Sequence, residues 1–403
     1  MKSVEILSET IEDRLHVAIL DNNYLIDAYA DTRLNSIPQW GAIYLARVSK
    51  IDKNLNLAIL DLGPSPDPKQ SNNQQAILPA KHVCNKRSQM YDSKEISTLL
   101  SAGDRILIQI KAEGYACTES EGLKLPRVTM KLFFPGRFLL HSPYFNTMKV
   151  SKKVTNEAIL DVVKSLHTKG SWIIRASAQN AQPDFLQKEA EHLKQYWENI
   201  LTAQEKDSQT PRLLHQGANA LCRALIDYSN NSTIASIECV SPNKMTPADK
   251  WCEKHAPDFI NRLKISPEKE GSLFDHRDVY SEIDMLADAR IMLPNGGSII
   301  IDQAHAFTVI DINRGSAASV MSVNAEASTE IARQIKLRNI SGAILIDYIN
   351  MRKKTDRHRT LSFFEKALSK DPAHPQVHGF TRLGIVEMTR SRRTGSYAEK
   401  MSV

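Results

Sequence analysis

Apolar and polar residues alternate with period two at the start of the chain, in VEIL, LHVAIL and YLIDAYA, and each run ends in a short polar turn. That pattern predicts strand–turn–strand, with one face of each strand buried. A second β-rich block follows in AIYLARVSKID, LNLAILDLG, QAILPAKHV and RILIQIKAEG. About five short strands at hairpin spacing, closing on themselves, predict an OB-type barrel. Between Gly63 and Gln75 the stretch PSPDPKQSNNQ breaks the alternation and predicts an extended surface loop.

From about residue 125 to 180, RVTMKLFF, GRFLLHS and SWIIRASA extend the β-rich pattern. The period then changes. Phe185, Leu186, Ala190, Leu193, Trp197, Ile200 and Leu201 recur at helical spacing, and Pro183 suits a first helical turn, so a helix is predicted from Pro183 to about Glu205. RLLHQGANALCRALIDY predicts a further helix with Leu214, Leu221 and Leu225 on one face. Residues 229–290 mix short strand and helix signals.

The last hundred residues are the clearest. SIIID and AFTVIDIN predict two strands joined by a turn around Gln303–His305, and PNGG at Pro294–Gly297 predicts a hairpin turn. A helix is predicted from Asn324 to Arg338 with Ala327, Ile331 and Ile335 inward. GAILIDYI is a continuous apolar run, the pattern of a strand buried on both faces. The helix TLSFFEKALSK and the strand GIVEMTR complete an alternating α/β order.

Composition narrows the class. A chain of 403 residues implies several folding units, and 42% apolar with 24% charged residues excludes disordered and fibrous proteins. No run approaches the ~18 apolar residues of a membrane span. The opening MKSVEILSETIEDR carries acids and no apolar core, unlike a secretory signal. Five cysteines, Cys84, Cys117, Cys222, Cys239 and Cys252, form no C-x-x-C pair. They imply a reduced, cytoplasmic compartment, with neither a disulfide framework nor a cysteine zinc site. The formal charge is +6, yet residues 351–403 hold 12 Lys/Arg against 5 Asp/Glu, a local +7 beside a neutral body. Such a segment suits a polyanionic partner, with a solvated cationic face as the plainer alternative.

Candidate chemistry lies on the strands near the end of the chain. Asp311 sits between Ile310 and Ile312, and Asp347 between Ile346 and Tyr348, although an unpaired carboxylate in a buried strand is costly. Asn313 is two residues beyond Asp311 and shares its strand face. If the strands are neighbours, two carboxylates and an amide oxygen converge near strand ends, where ligands gather in open α/β sheets. These hard oxygen donors suit magnesium, which activates water and neutralises a phosphodiester. The alternative is that each Asp caps a turn or pairs with Arg314 or Arg352. Walker, dinucleotide, zincin and nucleophile-elbow motifs are absent. His82, His215 and His255 have no partners at ligand spacing.

GGSIIIDQAHAFTVIDIN, NAEASTEIARQIKLRNISGAILIDYINM and TRLGIVEMTRSR resemble the catalytic core of the bacterial ribonuclease E/G family. GAIYLARVSKID and LLHQGANALCRALIDY resemble its earlier regions. The resemblance implies an α+β multidomain fold. Residues 1–37 and 213–285 would form a ribonuclease H-like domain, 38–122 an inserted OB-fold barrel, 123–212 a 5′-sensor-like region, and 286–403 a deoxyribonuclease-I-like catalytic domain. It also implies a Mg2+-dependent endoribonuclease, with Mn2+ as a substitute, that cuts single-stranded RNA. Asp311, Asn313 and Asp347 would be catalytic, with Asp311 and Asp347 holding the metal. Arg175 and Arg382 would bind an RNA 5′-phosphate, a role that suits a guanidinium fork. Ile59, Ile77 and Lys111 would meet RNA on the OB domain.

The chain departs from the family at several of these places. Ala176 follows Arg175 where the family has Thr, and Leu125 stands where it has Gly; both changes weaken a phosphate pocket. Ile59 and Ile77 replace stacking aromatics, each worth ~1–3 kcal/mol per base. His305 and Asn350 replace acids. The family's zinc-link cysteines have no counterpart, so no structural zinc and a monomer or weak dimer are expected. A catalytically decayed RNA-binding protein on the same scaffold is the alternative reading.

Overall fold

In a computed structural model the described residues are 3–31, 38–65, 72–84, 95–116, 123–166, 170–231, 233–240, 247–266, 272–304, 306–317 and 319–401. The chain divides into two compact units, residues 1–16 with 31–268, and residues 17–30 with 269–402. The first three strands, β1 (Ser3–Ile11), β2 (Arg14–Asp21) and β3 (Tyr24–Ala30), follow the period-two runs. Asn22 and Asn23 take positive φ between β2 and β3, as a tight two-residue hairpin turn requires.

The first unit contains the barrel. β4 (Ile43–Asp52), β5 (Leu57–Pro64) and β6 (Asn73–Pro79) form an antiparallel meander, followed by β7 (Arg105–Ala112). A short hairpin, β8 (Tyr115–Ala116) and β9 (Leu123–Lys124), leads to β10 (Arg127–Thr129). The pairing order β4-β5-β6-β10-β7 returns to β4 and closes a five-stranded barrel, filled by Val48, Leu60, Leu62, Leu78, Ile108, Ile110 and Val128. The strands take in the ends of the stretch after Gly63, since β5 runs through Pro64 and β6 begins at Asn73; its middle, 66–71, where a surface loop is expected, lies outside the described residues.

Next comes a small sheet of β11 (Phe134–Pro135), β12 (Leu139–Ser142), β13 (Met148–Val150) and β14 (Ser171–Ile174). It packs with α1 (Glu157–Ser165) and α2 (Pro183–Lys206) around Trp172, Phe134, Leu186 and Leu193. The β-rich region expected from about 125 to 180 also contains the helix α1. Asn156 caps that helix by accepting from the Ala158 N–H, a signal carried by one polar residue and easily missed. RLLHQGANALCRALIDY is not one helix. Its start is β15 (Arg212–His215), paired with β4, and only α3 (Ala220–Asn231) is helical. Gly217 marks the break, since a Cβ there would strike the Trp40 carbonyl. β16 (Thr233–Val240), α4 (Pro247–His255) and β17 (Leu263–Ser266) end the unit, with β16 pairing in parallel to both β1 and β17.

In the second unit two short helices, α5 (Leu273–His276) and α6 (Val279–Asp284), lead into a mixed sheet. Its strands are β18 (Arg290–Met292), β19 (Ser298–Gln303), β20 (Phe307–Asn313), β21 (Gly342–Asp347), β22 (Gln376–Phe380) and β23 (Val386–Arg390), ordered β18-β19-β20-β21-β23-β22. The PNGG turn joins β18 to β19, with Leu293 N–H donating to the Gly297 carbonyl. α7 (Val320–Leu337) and α8 (Lys354–Leu368) bury one face of the sheet, where Ile310, Ile312, Ile344, Ile346, Val386 and Met388 meet Val323, Ile331 and Phe364. α7 starts four residues before the expected Asn324 because Ser319 caps it. α9 (Tyr397–Met401) follows the sheet.

GAILIDYI corrects the reading of a strand buried on both faces: Ile344 and Ile346 are buried, whereas Gly342, Ala343 and Asp347 are exposed. Helices cover this sheet from one side in the second unit, and the alternate positions stand on the other. No helix among the described residues is long and apolar enough to cross a membrane.

Candidate active site

β20 and β21 are parallel neighbours, and their register sets Asp311 directly opposite Asp347. Adjacent strands lie about 5 Å apart, so two carboxylates in one row can share a cation. Strand alternation decides which face they occupy. Thr308, Ile310 and Ile312 point into the core, leaving Val309, Asp311 and Asn313 on the side away from α7 and α8. The carboxylates therefore avoid the burial expected from their apolar flanks.

Both acids are held in place. Asn313 Nδ2 donates to Asp311 Oδ2 over 2.8 Å. The amide thus presents its nitrogen to the carboxylate and orients Asp311. Beyond Asp347 the chain is pinned to α7: Asn324 Nδ2 donates to the Ile349 carbonyl, and Tyr348 Oη lies 2.9 Å from Ser328 Oγ. Arg314, considered as an alternative partner, turns its Nε to the Ala317 carbonyl. Asn350 is exposed beyond this anchor, and His305 lies outside the described residues.

The rest of the open face is arranged in rows by the register. Asp302 and Leu345 flank Val309, and Glu387 lies beyond Leu345. The next row holds Phe307, Ala343 and Thr389. Asp302, Glu387 and Phe307 were not singled out from the sequence, because only pairing between distant segments places them beside the Asp pair. No group of three or more His, Cys, Asp or Glu side chains among the described residues is placed to hold a metal. The donor set at Asp311 and Asp347 is a two-carboxylate one. It fits a cation that takes one or two protein carboxylates and completes its shell with water and phosphate.

In the first unit Ile59 and Ile77 face each other across β5 and β6, both half-buried. Arg127 pairs with Ile77 on the other side and with Ala112, next to Lys111. Lys111 Nζ donates to His82 Nε2 at 3.1 Å, and Lys131 Nζ to the Lys81 carbonyl at 2.8 Å. Burial together with Lys111, Lys131, Lys81 and Arg127 pushes His82 down to about 4, so its ring is neutral and accepts from Lys111. Burial and the same neighbouring cations also lower Lys111. A cationic cluster thus gathers beside the two isoleucines. Only Lys111 was expected there, since the others come from separate strands and turns.

Arg175 is half-buried at the end of β14, and its backbone N–H donates to Phe138 O. That turn is held by Glu189, whose carboxylate accepts the N–H groups of Arg137, Phe138 and Leu139. Burial raises Glu189 to about 7, while the three N–H groups and Arg175 pull the other way. Ala176 and Leu125 are both half-buried. Arg382 belongs to the second unit, exposed in the tight β22–β23 turn that Gly384 closes at positive φ. His215 and His255 both lie beside the ring of Tyr196, at centroid distances of 5.5 and 6.4 Å.

Residues 133–393 match the Ribonuclease E/G family. Ribonuclease G of Escherichia coli strain K12 is 28% identical over 405 residues, covering 97% of this chain and 80% of its own. Ribonuclease G of Haemophilus influenzae is 27% identical over 411 residues, with the same coverage. Ribonuclease E of Synechocystis is 30% identical over 371 residues, 88% of this chain and 52% of that one. With its signature spanning more than half the chain, including both strands that carry Asp311 and Asp347, the protein belongs to the ribonuclease E/G family.

Proposed function

We propose that this chain is an endoribonuclease that cuts single-stranded RNA at Asp311 and Asp347 with Mg2+, or Mn2+ in its place, leaving 5′-phosphate and 3′-hydroxyl ends. The observation that carries the reading is the pairing of these two carboxylates in one row of an open sheet face. Membership of a family whose relatives are named ribonucleases supports it. When bound, the metal supplies positive charge to the phosphodiester oxygens and a lowered pKa to the attacking water.

The protein's own residues do the rest. Asn313 fixes the rotamer of Asp311 through its amide N–H, and the Tyr348–Ile349 anchor holds Asp347 at its strand end. Such outer hydrogen bonds set ligand direction and basicity. On the barrel, Lys81, Lys111, Arg127 and Lys131 draw in the phosphate backbone, and Ile59 with Ile77 offers an apolar contact. We assign this barrel, expected at 38–122 and closed here by β10 at Arg127–Thr129, as the OB-type RNA platform, and the rest of 123–212 as a sensor-like region with Arg175. Residues 1–37 with 213–285 we assign as the ribonuclease H-like part, and 286–403 as the deoxyribonuclease-I-like catalytic part.

The test is incubation with a 5′-fluorescent single-stranded RNA, with Mg2+ and with EDTA. Cleavage in Mg2+ that disappears with EDTA and in Asp311→Asn supports the reading. Binding without cleavage in Mg2+ or Mn2+ replaces it with the decayed RNA-binding scaffold.

A further inference from the structure

Phe307 stands out on the open face of the catalytic sheet. It is 42% exposed, in a strand whose neighbours Thr308, Ile310 and Ile312 are buried. By alternation its ring is on the same side as Asp311 and Asn313. Asp311 is four positions further on, about 13 Å along β20. Its partner across β21 is Ala343, whose single methyl group leaves the ring uncovered on that side. The carbonyl of Phe307 accepts the Ala304 N–H, which fixes the turn at its end of the strand.

We propose that Phe307 is a stacking platform that holds an unpaired nucleobase of the RNA beside the carboxylate pair. This rests on the endoribonuclease reading and goes beyond it by naming a contact that sets substrate position. Two further observations select a base as the occupant. The row between Phe307 and Asp311 is edged by Asp302 and Glu387, both exposed, with Val309 and Leu345 between them. Acids there repel a phosphate backbone, whereas the flat face of a base meets an apolar floor with a ring at its end. The barrel, by contrast, pairs Ile59 with Ile77 and offers no π-face at that contact. A single strand that stacks on aromatic rings finds one on the catalytic sheet.

The test uses short single-stranded RNAs carrying one 2-aminopurine at successive positions, bound in EDTA so that none is cut. Fluorescence quenching confined to one or two positions, lost in Phe307→Leu and kept in Phe307→Trp, is the expected result. In Mg2+ the Leu variant should raise KM at least about fivefold with kcat little changed, the effect of removing one stacked base. Its melting temperature should match wild type, since the ring is not part of the core. Equal quenching in wild type and Phe307→Leu overturns the proposal, as does quenching at no position. If no divalent ion supports cleavage but quenching depends on Phe307, the stacking platform stands and the endonuclease reading falls. If cleavage is normal and both KM and quenching ignore Phe307, the endonuclease stands and the platform falls.

Discussion

Asp311 and Asp347 were legible as unusual because each interrupts an apolar run, and a carboxylate there needs a reason. Their face was not legible, since a continuous run hides which alternate positions a helix covers. Being on the open side, either can lose its charge without a core penalty. Asp311→Asn and Asp347→Asn should each lower the cleavage rate at least about 100-fold while leaving the melting temperature unchanged. Asn313→Ala should cost about tenfold, as loss of an orienting hydrogen bond does. A second residue-scale consequence concerns acid stability. His141 is buried against Phe134 and Trp172, and burial lowers it to about 4 despite its Nδ1–H bond to Ser171 O. The unfolded chain takes up that proton first as pH drops below 6.5. The stabilisation is therefore complete above 6.5 and lost as pH falls toward 4, by up to about 3 kcal/mol. Thermal melts between pH 7 and 4.5 should show the fall, and His141→Gln should lessen it, the rest coming from His16, His82 and His255, which burial also lowers to about 4.

At the scale of elements, periodicity located most strands and the long helix α2, but it failed wherever a contact from elsewhere in the chain decides. β15 carries the apolar spacing of a helix and is a strand because β4 supplies its hydrogen bonds. The same partnership makes Gly63 irreplaceable: its φ is +93°, and a Cβ would collide with Pro211 O in the approach to β15. Gly63→Ala should lower stability by about 1–3 kcal/mol, seen as a drop in melting temperature. The turn that carries Phe138 beside Arg175 depends on Glu189 in a similar way, yet the residue after that Arg is Ala176, which has no hydroxyl to offer a phosphate. Cleavage rates on 5′-monophosphate and 5′-hydroxyl RNA should accordingly differ little. A large advantage for the monophosphate that Arg175→Ala abolishes would show a working end sensor.

For the whole molecule, a charge of +6 suits a polyanion, but composition pointed to the terminal segment rather than to the barrel. The cluster of Lys81, Lys111, Arg127 and Lys131 was invisible in sequence because its members lie up to 50 positions apart and meet only when the barrel closes. RNA affinity should fall steeply with salt, and Arg127→Ala should reduce the slope of log K against log salt by about one. Fluorescence anisotropy on an uncut RNA across a salt series reads this directly.

The two units are not cut from the chain as consecutive lengths: residues 17–30 belong with 269–402. The Leu25 N–H donates to Glu282 Oε1, its carbonyl accepts from Arg333 Nε, and its side chain is 0% exposed. During synthesis from the N-terminus, this hairpin leaves the ribosome some 250 residues before its partners do. It must wait as an unfinished edge with an uncovered leucine, the kind of segment that chaperones and proteases find. For the same reason, a fragment made by stopping near residue 268 would carry residues 17–30 without their partners Glu282 and Arg333. A self-sufficient catalytic piece, in turn, would need residues 17–30 grafted onto it.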